Sequence, residues 1–262
     1  MMKKTKVLLA CCFSIALLSG CEALKVTHYA APQEELKKVT ILSVMIDRII
    51  QPPIPLIDAA IFNGKTNSIS DEIITIQQSY VNEHRQILAN SFMKHFDCNV
   101  IYADTLHNHP EYAKMMLKFN KPSGLYTGND NFPIVAISSG DINPFNFYGK
   151  RIKKFFQDEM NYKEIIGKIG HELDTDYIII AYSNLEVNRV DAFGFGGNIV
   201  LATTFHVFNE QGDLLSTAQN RSTSTYIGGK DPEQYAETFD SYPDLLEPMM
   251  QKLEAQYKAK QQ

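Results

Sequence analysis

Residues 174–225 read DTDYIIIAYSNLEVNRVDAFGFGGNIVLATTFHVFNEQGDLLSTAQNRSTST. This stretch decides the fold. Asp174-Thr175-Asp176 turns the chain into Tyr177 to Tyr182, an apolar strand that can run on to Val190. Asp191 to Gly197 is a glycine-rich connection, and Asn198 to Phe208 a second strand. Asn209-Glu210-Gln211-Gly212-Asp213 is turn chemistry, and Leu214 to Thr225 a third strand. Consecutive strands joined by short turns make an antiparallel meander.

Outward from the meander the pattern changes period. Val39 to Ile46 (VTILSVMI) is β-branched and nearly continuous, which suits a strand buried on both faces. Prolines at 52, 53 and 55 end it. From Ser70 to Phe96, apolar residues at Ile73, Ile74, Tyr80, Val81, Ile87, Leu88, Phe92 and Phe96 fall on one helical face. Ser70 is placed as N-cap, with Asp71 and Glu72 at the positive end of the dipole. Asn99 to Tyr102 is a short strand, and Lys150 to Leu173 a helix that Gly167 and Gly170 weaken. Pro243 to Tyr257 closes the chain as an amphipathic helix. Between them, residues 104–151 form a long irregular insertion with one strand-like piece at Ile134 to Ile137. A stretch of that length without regular structure is commonly functional or mobile. The order predicts one α/β domain over residues 39–262: a mixed sheet with a C-terminal antiparallel meander and packed helices.

The N-terminus is an address. Lys3, Lys4 and Lys6 precede an apolar run from Val7 to Leu18. Such a run rises about 18 Å as a helix, short of a ~30 Å hydrocarbon core, so it reads as a signal peptide over residues 1–20 and not as a span. Leu18-Ser19-Gly20-Cys21 then resembles the lipobox of a bacterial lipoprotein. The resemblance implies cleavage before Cys21, a diacylglyceryl group on its thiol and an acyl chain such as palmitate on its new amine. The competing reading is an ordinary secreted protein with a chance cysteine. Residues 21–38 follow as a polar, flexible lipidated tether containing Pro32. Glu22, where Asp would favour inner-membrane retention, leans the assignment toward the outer membrane, facing the periplasm.

Charge and cysteine usage agree with that address. The chain of 262 residues carries 25 basic and 30 acidic residues, a formal −5. Cleavage would remove three lysines, so an acidic body would depend on its acyl chains for membrane attachment. No basic surplus exists to meet a phosphate backbone, which disfavours a nucleic-acid binder. Of four cysteines, Cys11 and Cys12 leave with the signal and Cys21 is acylated. Cys98 remains, with no partner for a disulfide, and reads as a buried inert thiol.

The body resembles the periplasmic lipoprotein domains of the curli secretion channel type. It is similar too to the penicillin-binding-protein activator lipoproteins and the N-terminal domain of the Tol system β-propeller protein. The resemblance rests on the strand at Val39 to Val44, the strand at Asn99 to Tyr102, the strand start Leu173-Asp174-Thr175-Asp176-Tyr177-Ile178-Ile179, and the strand–turn–strand from Phe205 to Leu215. Asp174-Thr175 stands where Gly-Ala is usual, and Asn209 where Asp is common. The resemblance implies a non-enzymatic role, as a pore or a contact module of an envelope machine. It carries over no functional residue.

Catalytic patterns fail on spacing. Gly64-Lys65-Thr66 ends like a P-loop, but Ala59 stands where the first glycine belongs. His171-Glu172 starts like a zincin, but Thr175 replaces the second histidine. Ser91 and Lys94 have Ser-x-x-Lys spacing deep inside a helix, without a Lys-Thr-Gly partner. His107, His109, Asp104 and Glu111 gather zinc-type ligands in the insertion, where a solvated polar loop is the plainer reading. No metal, cofactor or enzymatic activity is expected.

Phe193-Gly194-Phe195-Gly196-Gly197 is either a flexible hairpin tip or an aromatic contact loop, with Phe193 and Phe195 as the candidate partner-binding residues. The leading expectation is a lipid-anchored envelope lipoprotein that binds an envelope protein. The alternatives are a ring-forming secretion pore, which requires a homo-oligomer, and a lipid-anchored periplasmic hydrolase using the insertion.

Overall fold

All the described strands join one sheet. The structure, a computed structural model, describes residues 24–30, 36–47, 70–101, 110, 136–138, 160–190, 196–228 and 232–261. In chain order the elements are β1 (Lys25–His28), β2 (Lys38–Asp47), α1 (Ser70–Phe96), β3 (Asn99–Ile101), β4 (Ala136–Ser138), α2 (Met160–Glu172), β5 (Tyr177–Val190), β6 (Gly196–Asn209), β7 (Leu214–Arg221), β8 (Thr225–Gly228), α3 (Pro232–Phe239) and α4 (Tyr242–Gln261). The strand order is β1-β7-β6-β5-β2-β3, with β4 paired to β2 and β8 to β6. β2 is parallel to β3 and β5, whereas β5, β6 and β7 run antiparallel in turn. This is an α/β domain on a mixed sheet, with the meander in the expected place.

The β-branched run of β2 is explained by its position. β2 runs between parallel β3 and β5, with antiparallel β4 beside its C-terminal end, and residues on both of its faces are buried, so there is no solvent side to mark with polar residues. Val39, Ile41, Val44 and Ile46 face the main core, while Thr40 and Leu42 are fully buried outside that cluster. A register shift between Ile41 and Ser43 keeps the apolar positions in phase with the core.

The two crossovers from β2 run in opposite directions. β2–α1–β3 moves toward one sheet edge, and the return to β5, which includes α2, crosses to the other side of β2. Right-handed connections therefore place α1 and α2 on opposite faces. α1 packs on β2, α3 and α4, and α2 packs on β5. Ile166, Ile169, Ile178, Ile180 and Phe208 are accordingly buried apart from the main core. On the α1 side, Leu88, Phe92, Phe205, Tyr235, Phe239, Leu246 and Met250 form the main core, each worth about 1.5–3 kcal/mol when buried.

α1 spans the expected residues and ends with Asp97 at φ 49°, whose amide donates to Met93 O at 3.1 Å. In α2 the glycines do something the periodicity does not suggest. A Cβ on Gly170 would meet Glu210 O at 2.6 Å, and one on Gly167 would meet Gln211 O at 2.8 Å. The missing side chains let the β6–β7 turn lie against the helix, where Gly212 turns with φ 81°. They are a packing requirement as well as a helix weakness.

The sequence reading misses three elements. β8 and α3 follow the third strand, and β1 lies inside the segment expected to be a flexible tether. β1 pairs antiparallel with β7 as an edge strand, from Lys25↔Gln219 to His28↔Ser216. Val26 and Thr27 are β-branched, and Leu24 and Val26 alternate with exposed Lys25, but so short a signal is decided only by backbone pairing to a late strand.

Candidate functional site

The best-defined local site is the dock that receives the N-terminal strand. Tyr29 N donates to Leu215 O at 2.8 Å, continuing the ladder past His28. Lys252 Nζ on α4 donates to Leu24 O at 3.4 Å. Leu24 and Val26 pack against the main core. Ser216 Oγ lies 2.6 Å from His28 Nδ1, and the other ring nitrogen, Nε2, contacts Gln256 Oε1. Gln256 Oε1 can only accept, which assigns the proton to Nε2 and leaves Nδ1 to accept from the Ser216 hydroxyl. Tyr257 closes the ring's side in an edge contact at 6.0 Å.

A serine donating to an imidazole is also the arrangement of an acyl-transfer nucleophile and its base. Here it does not serve that chemistry. Ser216 has 0% exposure, so no electrophile can reach its oxygen. The group behind the imidazole is a neutral carboxamide and does not stabilise an imidazolium as a carboxylate would. The triplet instead ties β1, β7 and α4 together.

A second polar group lies inside the core. His84 of α1 stacks on Tyr242 of α4 with centroids 3.8 Å apart and planes 7° from parallel. Its Nε2 is 3.4 Å from Phe239 O. Burial pushes the imidazole down to about 4, so it is neutral at pH 7. Burial raises the Tyr242 phenol above its ordinary range, and the Thr203 hydroxyl beside it acts the other way. Thr203 shares a 2.9 Å hydrogen bond with Ser183, and Arg85 Nη2 donates to Ile41 O at 2.9 Å. His84 and Tyr242 are each 1% exposed. The cluster holds α1, α4, β5 and β6 in register and offers no substrate a path to the imidazole.

A third group pins α1 to α4 at the surface. Lys94 Nζ donates to both Glu247 oxygens at 3.0 Å. His95 Nδ1 is 2.7 Å from Glu254 Oε2, and its Nε2 is 3.3 Å from Glu247 Oε2. Lys94 first, then His95, draws Glu247 down to about 2. Lys94 is thus engaged with α4, while Ser91 sits within α1, which leaves the Ser-x-x-Lys spacing without a catalytic partner.

The remaining sequence candidates separate clearly. His171 and Glu172 are exposed at the end of α2. Among the described residues, no group of three or more His, Cys, Asp and Glu side chains could hold a metal ion. Cys98 is buried, and burial pushes its thiol up to about 11, which makes it unreactive near neutrality. Asp174-Thr175-Asp176 is a clasp: Asp176 Oδ2 accepts from the amides of Lys37 and Lys38 at 2.9 and 2.7 Å, and Thr175 Oγ1 donates to Lys38 O at 3.0 Å. Cys21, Phe193 and Phe195 lie outside the described residues, as do Gly64-Lys65-Thr66, Asp104, His107, His109 and Glu111.

No helix among the described residues is long and apolar enough to cross a membrane. No protein-family model matches the chain, and no curated protein does. Among solved structures, it is similar to a PelC dodecamer from Paraburkholderia phytofirmans, at 10% identity over 87% of this chain and 97% of that one, with a TM-score of 0.31. A single-substitution variant of that dodecamer gives 12% identity, 86% and 96% coverage, and a TM-score of 0.30. Likeness at this level assigns no shared function.

Proposed function

We propose that the chain is a bacterial envelope lipoprotein, anchored by acyl groups on Cys21, whose α/β domain is a non-enzymatic binding module for an envelope protein. The observation that carries this reading is the order of the N-terminus: Lys3, Lys4 and Lys6, the apolar run to Leu18, then Ser19-Gly20-Cys21. More than one acyl chain gives stable attachment at about 0.8 kcal/mol per buried CH₂. Each polar group described above joins elements within the fold. In this reading the domain sits on the periplasmic side of the outer membrane.

Mass spectrometry of the N-terminal peptide from membrane-extracted protein tests the anchor. The expected product begins at Cys21 and carries a diacylglyceryl group and an additional acyl chain. Cys21→Ser is expected to shift the protein from the membrane to the soluble fraction. An unacylated N-terminus elsewhere would end the reading.

The partner module is tested separately. Phe193→Ser with Phe195→Ser is expected to reduce crosslinked capture of an envelope partner without lowering domain stability. Unchanged capture would remove that loop from the account. The native mass of the lipidated protein in detergent discriminates an adaptor from a ring-forming pore, since the pore requires a large homogeneous homo-oligomer.

A further inference from the structure

The sheet has two edges, and they differ. β3 forms one, and β1 the other, with β8 continuing that side beyond β7 by pairing directly with β6. The exposed large hydrophobics among the described residues are Tyr29 and Tyr226, at 45% and 56%. Tyr29 directly follows β1, and Tyr226 lies on β8, so both belong to the same edge. Lys25, also exposed, lies between them. Through Gln219, Lys25 is level with Thr204 of β6, whereas Tyr226 is level with Asn198. That offset is about 20 Å along the sheet. The β3 edge lies five strand spacings away, about 24 Å.

Chain length restricts where a lipid on Cys21 can be. Glu22, Ala23 and Leu24 alone separate it from Lys25. Four residue steps of at most about 3.6 Å keep the two Cα atoms within about 14 Å. Lys25 cannot follow the anchor away from the domain, because β1 is paired to β7 and His28 is held by Ser216 and Gln256. Anchored this way, the domain cannot sample all orientations above a bilayer. Tyrosine favours the headgroup region, where its ring and hydroxyl are both accommodated, and lysine meets phosphate there.

We propose that the β1–β8 edge of the sheet lies against the phospholipid surface, with Tyr29 and Tyr226 at headgroup depth and Lys25 beside lipid phosphate. This rests on the lipid-anchor reading above and adds an orientation to it. The surface also covers the outer side of β1, an edge otherwise open to pairing with another strand.

The test uses the absence of tryptophan from the chain. Full-length lipidated protein carrying Tyr29→Trp, Tyr226→Trp or, on the opposite edge, exposed Asn99→Trp is placed in phosphatidylethanolamine/phosphatidylglycerol vesicles, with and without brominated acyl chains. Emission from the two tyrosine-site variants is expected to fall at least about twofold with brominated lipid, and that from Asn99→Trp to stay unchanged. Hydrogen exchange on the unsubstituted protein supplies a second readout: residues 24–30 and 225–228 are expected to exchange more slowly on vesicles than in the Cys21→Ser protein. Protein that floats with vesicles but shows neither quenching nor protection on this edge overturns the orientation and leaves the anchor standing. A vesicle-bound dimer protected along β1, without quenching, assigns the edge to a second copy and overturns it too. Protein that does not float removes the anchor and the orientation together.

Discussion

At Gly170 two opposing effects can be separated by one substitution. Alanine favours a helix interior over glycine by about 1 kcal/mol. Its Cβ, however, would sit 2.6 Å from Glu210 O, and the contacting atom is backbone. The clash is expected to dominate, so Gly170→Ala should lower unfolding free energy by about 1–3 kcal/mol in urea titrations. A stabilised variant would show that the turn moves aside freely. His84 and His206 make a second residue-scale prediction. Burial pushes both imidazoles from 6.5 down to about 4. Above pH 6.5 both folded and unfolded chains are neutral there, and the native contribution is complete. As pH falls from 6.5 toward 4, the unfolded chain takes up protons that the folded chain refuses, so stability falls by up to about 1.4 kcal/mol per pH unit for each histidine. His84→Phe should reduce that slope, measured by urea titration at pH 7, 6 and 5. Neither residue was legible as a structural element in advance. Gly170 looks like a flaw in a helix until Glu210 is placed beside it, and nothing around His84 in the chain announces Tyr242.

Legibility improves at the scale of elements, where local pattern and tertiary role agree. α1 occupies Ser70–Phe96 as its periodicity predicts, and the meander follows from alternating runs and turn residues. β1 is the counterexample. Its Lys-Val-Thr-His sequence becomes a strand through β7, and its energetics lie in contacts far along the chain. His28→Ala tests that dependence. It removes the acceptor for buried Ser216 and the donor for Gln256, and should cost about 1–3 kcal/mol. Amide exchange in residues 25–28 should rise more than exchange in α1 or β5. An even rise would mean that β1 opens only with the whole domain. The α1–α4 pin should respond to acid as well. Glu247 is held near 2 by Lys94 and His95, so its contribution is present above pH 4.5 and is lost as pH falls toward 2. Glu247→Gln should abolish that acid-dependent part, read as a flatter stability curve below pH 4.5.

For the molecule as a whole, the proposed address and the architecture are read from the sequence by different means. On the proposed reading Cys21 stands out because a processing signal must be local to be read, whereas a protein-binding surface can be assembled from any part of the fold. The same contrast explains why the α/β class was predictable and the edge-to-edge asymmetry was not: Tyr29 and Tyr226 share an edge only after β1 and β8 take their places. β1 also imposes an order in time. His28 and Ser216 are 188 residues apart in the chain. At about 5–20 residues per second, synthesis of the intervening chain takes roughly 10–40 s. The first strand therefore exists long before its neighbour does. If export keeps pace with synthesis, Lys25–His28 waits beside the membrane with both edges bare while the rest of the domain arrives. Its short length and lysine start suit that interval, because they make it a poor template for premature pairing. On the proposed anchoring, the segment that would orient the finished protein is among the last to be secured.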